Sequence, residues 1–281
     1  MLIAQISDTH VQMPGGELDR NYDTAGHLEH AVRHLNSLEP QPDLVLLTGD
    51  TVDEGTADEY GRLRDILAEL KPPLYVIPGN HDNREEMRRA FISDGYLPRD
   101  GFLQYTIEDW PVRLIGLDTH IPGQHGGTLC SARLDWLAAR LSESPERPTV
   151  VFLHHPPFAV GHLLMDEMGL DSADGLASVL APHDQVRHVL SGHLHRSVVT
   201  QFAGTVASVC PSTAQQLALD LPPARRLATV MDPAAATLLL WDENAATLVH
   251  HLSYITARPI HVLHDGTGWL EGQSLPAGFH N

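Results

Sequence analysis

The sequence predicts an α/β protein built on a largely parallel sheet, and three observations carry that reading. Between Leu2 and Phe91 an apolar, strand-like run is followed three times by a helical one, the pattern of right-handed crossovers. Each apolar run ends in a turn loaded with polar side chains, and the ends of strands are where such sheets bind ligands. A length of 281 residues with 42% hydrophobic content is enough for a substantial core, in one large domain or two small ones.

The elements follow in order. Leu2 to Ile6 is a strand ending at Ser7-Asp8-Thr9-His10. From Thr24 to about Glu39, Leu28, Val32, Leu35 and Leu38 recur at helical spacing, with Thr24 as N-cap. Asp43 to Leu47 is a second strand, running into Thr48-Gly49-Asp50, and Glu59 to Leu70 a helix with Leu63, Ile66, Leu67 and Leu70 on one face. Leu74 to Ile77 is a third strand, ending at Pro78-Gly79-Asn80-His81-Asp82, and a charged helix runs from Arg84 to Phe91. Two strands, Phe102 to Ile107 and Val112 to Leu117, precede a helix over Leu134 to Leu141. Thr149 to Leu153 is a buried strand ending at His154-His155-Pro156-Pro157. Leu176 to Leu180 is helical, and the strand Val186 to Leu190 leads into Ser191-Gly192-His193-Leu194-His195. Beyond residue 197 the runs are short and β-type: Val198 to Phe202, Thr205 to Val209, Leu227 to Met231, Thr237 to Trp241 and Thr247 to Leu252. The tail from Ala257 is punctuated by Gly and Pro.

A net charge of −18 with only 18 Lys and Arg argues against binding nucleic-acid polymers or anionic membranes, so an anionic substrate would have to be attracted by bound metal. The two cysteines, Cys130 and Cys210, are expected as buried free thiols. The N-terminus lacks the basic start of a signal peptide and there is no apolar run of roughly 18 residues, which predicts a soluble cytoplasmic protein.

The chemistry lies in five strand-end segments: Asp8-x-His10, Gly49-Asp50, Gly79-Asn80-His81-Asp82, His154, and Gly192-His193-Leu194-His195. In an extended segment residues two apart point the same way, so His193 and His195 address one metal or one each of a close pair. Singly, each of these residues is an ordinary loop or cap residue. Together they offer carboxylate, amide and imidazole donors without a thiolate, a set too rich for one structural zinc and suited to two divalent ions such as Mn, Fe, Co or Zn. Two metals roughly 3.5–4 Å apart need a bridging carboxylate and form a clamp for in-line displacement at phosphorus.

These five motifs in this order resemble the calcineurin-like binuclear metallophosphoesterase superfamily. Ile6-Ser7-Asp8-Thr9-His10, Ile77-Pro78-Gly79-Asn80-His81-Asp82 and His154-His155-Pro156-Pro157 are closest to its cyclic-nucleotide phosphodiesterase and glycerophosphodiesterase branch. The resemblance implies a four-layer α-β-β-α sandwich, with a catalytic domain over residues 1–215 and a β-rich extension over 216–281 for substrate capping or oligomerisation. It also implies a ligand set: Asp8, His10 and His195 on one metal, Asn80, His154 and His193 on the other, Asp50 bridging. His81 is then the catalytic imidazole outside the metal shell, and Asp82 orients it or, more in keeping with its position, caps the next helix. Some relatives carry another His over the site where this chain has Gln215. The implied activity is hydrolysis of a small phosphodiester, a cyclic nucleotide or a glycerophosphodiester, by hydroxide made available on the metals. The alternatives are a phosphomonoesterase, protein phosphatase or nuclease with the same site, or a non-catalytic scaffold. Relatives also pair through their C-terminal regions, so a dimer or larger assembly is expected.

Other polar residues are read as structural. His155 points away from the ligand face into packing. His27, His30 and His34 form a solvated helix face, Asp53 and Glu54 begin the next loop, and His250, His251, His261 and His264 have no site role. Gly15-Gly16 and Gly126-Gly127 lack the pattern of phosphate-cradling loops. Specificity is assigned to residues 120–130, 160–172 and 212–223, with Leu163, Leu164, Met165 and Met168 as a nucleobase wall or a subunit contact.

Overall fold

The computed structural model describes residues 1–222, 225–264 and 266–278. The first half of the chain runs β1 (Leu2–Ile6), α1 (Glu17–Tyr22), α2 (Thr24–Ser37), β2 (Leu44–Thr48), α3 (Ala57–Leu67), β3 (Leu74–Ile77), α4 (Arg84–Phe91), β4 (Tyr105–Ile107), β5 (Arg113–Gly116) and α5 (Ser131–Glu143). It continues with β6 (Thr149–Phe152), α6 (Leu163–Asp166), α7 (Ala173–Leu180), β7 (Val186–Ser191), β8 (Val198–Phe202), β9 (Thr205–Val209), β10 (Gln216–Leu217) and β11 (Thr229–Val230). Four longer strands close it: β12 (Ala235–Asp242), β13 (Thr247–Tyr254), β14 (Arg258–His264) and β15 (Trp269–Gly278).

Two sheets form the centre, in the orders β13-β12-β1-β2-β3 and β4-β5-β6-β7-β9-β8. The pairs β1–β2, β2–β3, β5–β6 and β6–β7 are parallel, as expected from the crossovers, whereas β12 lies antiparallel to β1. Strands β12 and β13, from the region after residue 215, thus complete the first sheet. Alternation along the second sheet separates two cores. Val150, Phe152 and Leu190 pack toward the first sheet, in a cluster that also takes in Leu28 and Leu35 of α2, Leu63 of α3 and Phe91 of α4. Val151 and Val189 point the other way, onto Leu137 and Leu141 of α5 and Leu176 and Leu180 of α7. The layers are therefore helix, sheet, sheet, helix.

Several local expectations shift. Asp23, not Thr24, caps α2, accepting from the Gly26 N–H, because Thr24 is turned inward to donate to the His10 carbonyl. A capping box of Thr56 and Glu59 starts α3 ahead of Glu59. Asn83 caps α4 by accepting from Glu85 and Glu86 N–H, so Asp82 is not the cap. The short helices α1 and α6 carry no periodicity long enough to read, and the tail after Ala257 forms the paired strands β14 and β15. His34 is buried, bonded to Ser253 of β13, and not on a solvated face. Cys130 is exposed at the start of α5, while Cys210 is buried as expected.

The parallel order puts the C-terminal ends of β1, β2 and β3 on one edge, and those of β6 and β7 on one edge of the second sheet. Bonds across the seam pin the edges together: Gln5 Nε2 donates to the Ser191 carbonyl at 2.9 Å, and His154 Nδ1 to the Thr48 carbonyl at 2.8 Å. No helix among the described residues is long and apolar enough to cross a membrane.

Candidate metal centre

The donors all sit just beyond strands: Asp8 and His10 after β1, Asp50 after β2, Asn80 and His81 after β3, His154 after β6, His193 and His195 after β7. Asp8, His10, Asp50, His193 and His195 have φ of 53, 40, 47, 73 and 45°. Side-chain-bearing residues seldom adopt that conformation, and it concentrates at functional sites. Here neighbouring turns hold it in place, with Asp8 N–H donating to the Gly49 carbonyl at 3.1 Å and His10 N–H to the Asp50 carbonyl at 3.0 Å. The glycines of the motifs let these turns touch. A Cβ on Gly79 would lie 2.2 Å from Asp50 Oδ1, and one on Gly192 would lie 2.0 Å from Ser7 Oγ.

Two groups of donors meet at Asp50. Its Oδ2 is 3.7 Å from His10 Nε2 on one side and 3.3 Å from His154 Nε2 on the other. In the first group His10 Nε2 and His195 Nε2 are 3.0 Å apart, and His195 Nε2 is 3.4 Å from Asp8 Oδ1. In the second, Asn80 Oδ1 is 3.2 Å from His154 Nε2, and the ring of His193 meets that of His154 at 5.2 Å. Three of the imidazoles are oriented by their other nitrogen: His10 Nδ1 donates to Asp53 Oδ1 at 3.2 Å, His154 Nδ1 to Thr48, and His195 Nδ1 to the Gln215 carbonyl at 3.0 Å. With the Nδ1 protons so committed, the Nε2 lone pairs converge.

This donor set fits divalent cations. Facing lone pairs on His10 and His195 have no proton to share without a cation between them, and His193 Nε2 is buried with no hydrogen-bond partner among the described residues. Asp8-His10-His195 and Asp8-Asp50-His154 are each tight enough to hold an ion. The electrostatics agree. Burial raises the Asp50 pKa, but His154, His81 and His10 outweigh it and hold the carboxyl well below its usual range. Burial disfavours charge on His154, yet Asp50 and Asp8 lift it to about 9. Burial, reinforced by His154, pushes His193 down to about 3 and leaves its ring neutral.

His81 stands beside this centre, its N–H donating to Asp50 Oδ1 at 2.9 Å and its Nδ1 to the Asp53 carbonyl at 2.8 Å. Burial alone would lower its pKa, but the Asp53 hydrogen bonds and the Asp50 charge raise it to about 10, so Nε2 presents a proton to the cavity. Asp53 was expected merely to begin a loop; it bonds to His10 and lies 3.2 Å from His81 Nδ1. Asp82 is buried below, accepting from Thr51 N–H, Gly79 N–H and the hydroxyls of Thr51 and Tyr60. It thus ties the β2 and β3 turns together.

Above the donors lies a cavity of about 610 Å³. The three expected specificity segments contribute His125, Met165 with Met168, and Gln215 with Leu217; Pro223 lies outside the described residues. Gln12, Glu17 and Leu18 before and in α1, with Leu227 and Thr229, also line it. No Lys or Arg is among these described lining residues.

Residues 1–197 match the family described as calcineurin-like phosphoesterase. A protein of Arcobacter nitrofigilis named probable glycerophosphodiester phosphodiesterase GpdQ is 37% identical over 256 residues, spanning 91% of this chain and 93% of the relative. The Pseudomonas aeruginosa 3',5'-cyclic adenosine monophosphate phosphodiesterase CpdA is 35% identical over 218 residues, 78% of each chain. Among solved structures, a dimetal phosphatase from Danio rerio shares the fold with a TM-score of 0.62 at 17% identity, covering 86% of this chain and 93% of that one.

Proposed function

The chain belongs to the calcineurin-like phosphoesterase family, and from that premise we propose that it hydrolyses small phosphodiesters at a pair of divalent ions. The observation that carries this reading is the position of Asp50 Oδ2 between two groups of imidazoles, 3.7 Å from His10 and 3.3 Å from His154. Asp8, His10 and His195 would hold one ion, Asn80, His154 and His193 the other, and Asp50 both. Such a pair supplies Lewis acidity, gathering an anionic phosphoryl group and its attacking water and offsetting the charge that develops.

The chain's own groups do the rest. Asp53 fixes the His81 ring through Nδ1, which leaves Nε2–H to donate to a phosphoryl oxygen and to pass its proton toward the departing alkoxide. Asp82 keeps the turns bearing Asp50 and Asn80 in register. Met165, Met168 and Leu217 dry the wall around the ester arm. Substrates of the cyclic-nucleotide or glycerophosphodiester class follow from the names of the two relatives, and the acidic surface favours a small substrate over a polyanion. The same site serves a phosphomonoester if the cavity wall contributes nothing. A cytoplasmic location, Fe, Mn, Zn or Co as the ions, and self-association through the strands after residue 215 complete the proposal.

The test is turnover of bis(p-nitrophenyl) phosphate by metal-stripped protein resupplied with Mn, Co, Zn or Fe, beside the Asn80→Ala and His81→Ala variants. Metal-dependent activity is expected, with His81→Ala lower by on the order of 10²–10³ in kcat at unchanged metal content. Faster hydrolysis of p-nitrophenyl phosphate than of the bis ester would move the reading to a monoesterase. Folded protein inactive on both with every metal would end it.

A further inference from the structure

His155 is fully buried next to His154, and its ring is close enough to His154 and His193 to belong to a potential ligand cluster. Both its nitrogens are nevertheless committed elsewhere: Nδ1 lies 2.8 Å from Thr119 Oγ1 and Nε2 3.0 Å from the His125 carbonyl. A carbonyl only accepts, so Nε2 carries the hydrogen and Nδ1 accepts from the threonine hydroxyl. That is the neutral ring, and it has no lone pair left for a metal.

The ring serves as a peg for the loop that follows β5. Gly127 lies against it so closely that a Cβ there would come within 2.3 Å of His155 Nδ1. The loop is tied on its other side as well, with Gly127 N–H donating to the Gly169 carbonyl and Asp171 N–H to the Gly127 carbonyl, both at 3.0 Å. Thr128 N–H returns to the Thr119 carbonyl, also at 3.0 Å. What this anchored loop delivers is the side chain of His125, which lines the cavity with its ring centroid 6.4 Å from that of His81. A diester differs from a monoester in carrying a second esterified oxygen, and from inorganic phosphate in carrying two. With one imidazole at the phosphoryl oxygen, a second at this spacing lies where the remaining ester arm leaves the phosphorus.

We propose that His125 hydrogen-bonds the second ester arm of a bound diester, and that His155 is the positioning residue that holds the His125 loop for that contact. The inference rests on the phosphodiesterase reading above. Gln215, with its Oε1 buried and unpartnered among the described residues, lines the same cavity as His125.

The test uses metal-loaded full-length protein and two probes, bis(p-nitrophenyl) phosphate and inorganic phosphate as a competitive inhibitor that has no ester arm. His125→Ala is expected to raise the diester KM about tenfold, the loss of one hydrogen bond, with phosphate inhibition within about twofold of wild type. His155→Ala should reproduce that pattern and accelerate hydrogen exchange at Gly127 and Thr128. If it does not fold, Thr119→Val, which removes only the hydroxyl partner of His155, should do both more weakly. Equal losses for diester and phosphate in His125→Ala, or no loss in either, would overturn the ester-arm contact. Unchanged exchange and KM in the His155 or Thr119 variant would overturn the positioning role. If wild type turns over no diester, the activity reading fails separately, and calorimetric binding of the bis ester decides the contact: equal affinity in wild type and His125→Ala refutes it.

Discussion

Buried imidazoles lie in two places where the sheets face each other, and His154 and His195 in the first hold protons in the opposite way to His188 in the second, while His193 beside them is lowered as His188 is. At the strand ends His154 is raised to about 9 and His195 is raised too, although burial opposes both, because Asp50 and Asp8 outweigh it. On β7, His188 faces His250 of β13 at 5.7 Å and bonds to the Ser208 hydroxyl at 2.8 Å. There burial, with the charge of His250 adding to it, pushes His188 down to about 3. The exposures are alike, 0% for His154 and 2% for His188. The difference is the carboxylates. Burial by itself selects neutral histidine, and only where Asp side chains are buried with it does the fold make a place that favours a cation, whether proton or metal.

The sharpest way to break the comparison is to remove the carboxylate at which the two donor groups meet. Asp50→Ala should lower kcat/KM by on the order of 10³, the several kcal/mol associated with metal stabilisation of a phosphoryl transition state. Elemental analysis should find less bound metal, and the His154 pKa should fall. Retained metal and activity would mean that Asp8 alone organises the centre. Asp53→Ala sharpens the same point one step away, because the Asp53 carboxylate lies against His10 and His81 and forms with them a third cluster of donors. A loss of about 10–100-fold in metal affinity or activity is expected. Metal titration followed by kcat/KM separates its effect on His10 from that on His81, and wild-type values in both would show that the backbone carbonyl of residue 53 suffices.

Much of this was legible in the sequence because the donors are side chains at the ends of apolar runs, a pattern that survives without coordinates. Asp8, His10, Asp50, Asn80, His154, His193 and His195 are brought together at the strand ends; the crossovers foretold the parallel strands, and the two-sheet sandwich is the one the resemblance implied. What was not legible is held by contacts that leave no signature in residue type. The carbonyls of Thr48 and Gln215 that orient His154 and His195 belong to any residue. Asp53 and Asp82 look like turn residues, and only the approach of two loops makes one a partner of His10 and the other a tie between the β2 and β3 turns. His34 lies on a helix whose sequence reads as polar on that side, and its burial depends on β13, which joins the sheet from more than 200 residues away.

The smallest effect belongs to the other imidazole set and is a matter of stability. The folded pKa of His188, about 3, lies below the ~6.5 of an unfolded histidine. The unfolded chain therefore binds more protons between those values, so stability is fully present above pH 6.5 and is lost as pH falls through the window toward 3. The loss attributable to His188 between pH 7.5 and 5.5 is about 1 kcal/mol. Urea denaturation in the presence of a chelator removes the metal centre from the measurement. His188→Gln keeps an amide that can bond to Ser208 but cannot titrate, so its stability should be flatter than wild type over that range by the same amount. Parallel curves would show that His188 is not where the folded protein excludes the proton, and the contrast between the two imidazole sets would then rest on His250 and His34.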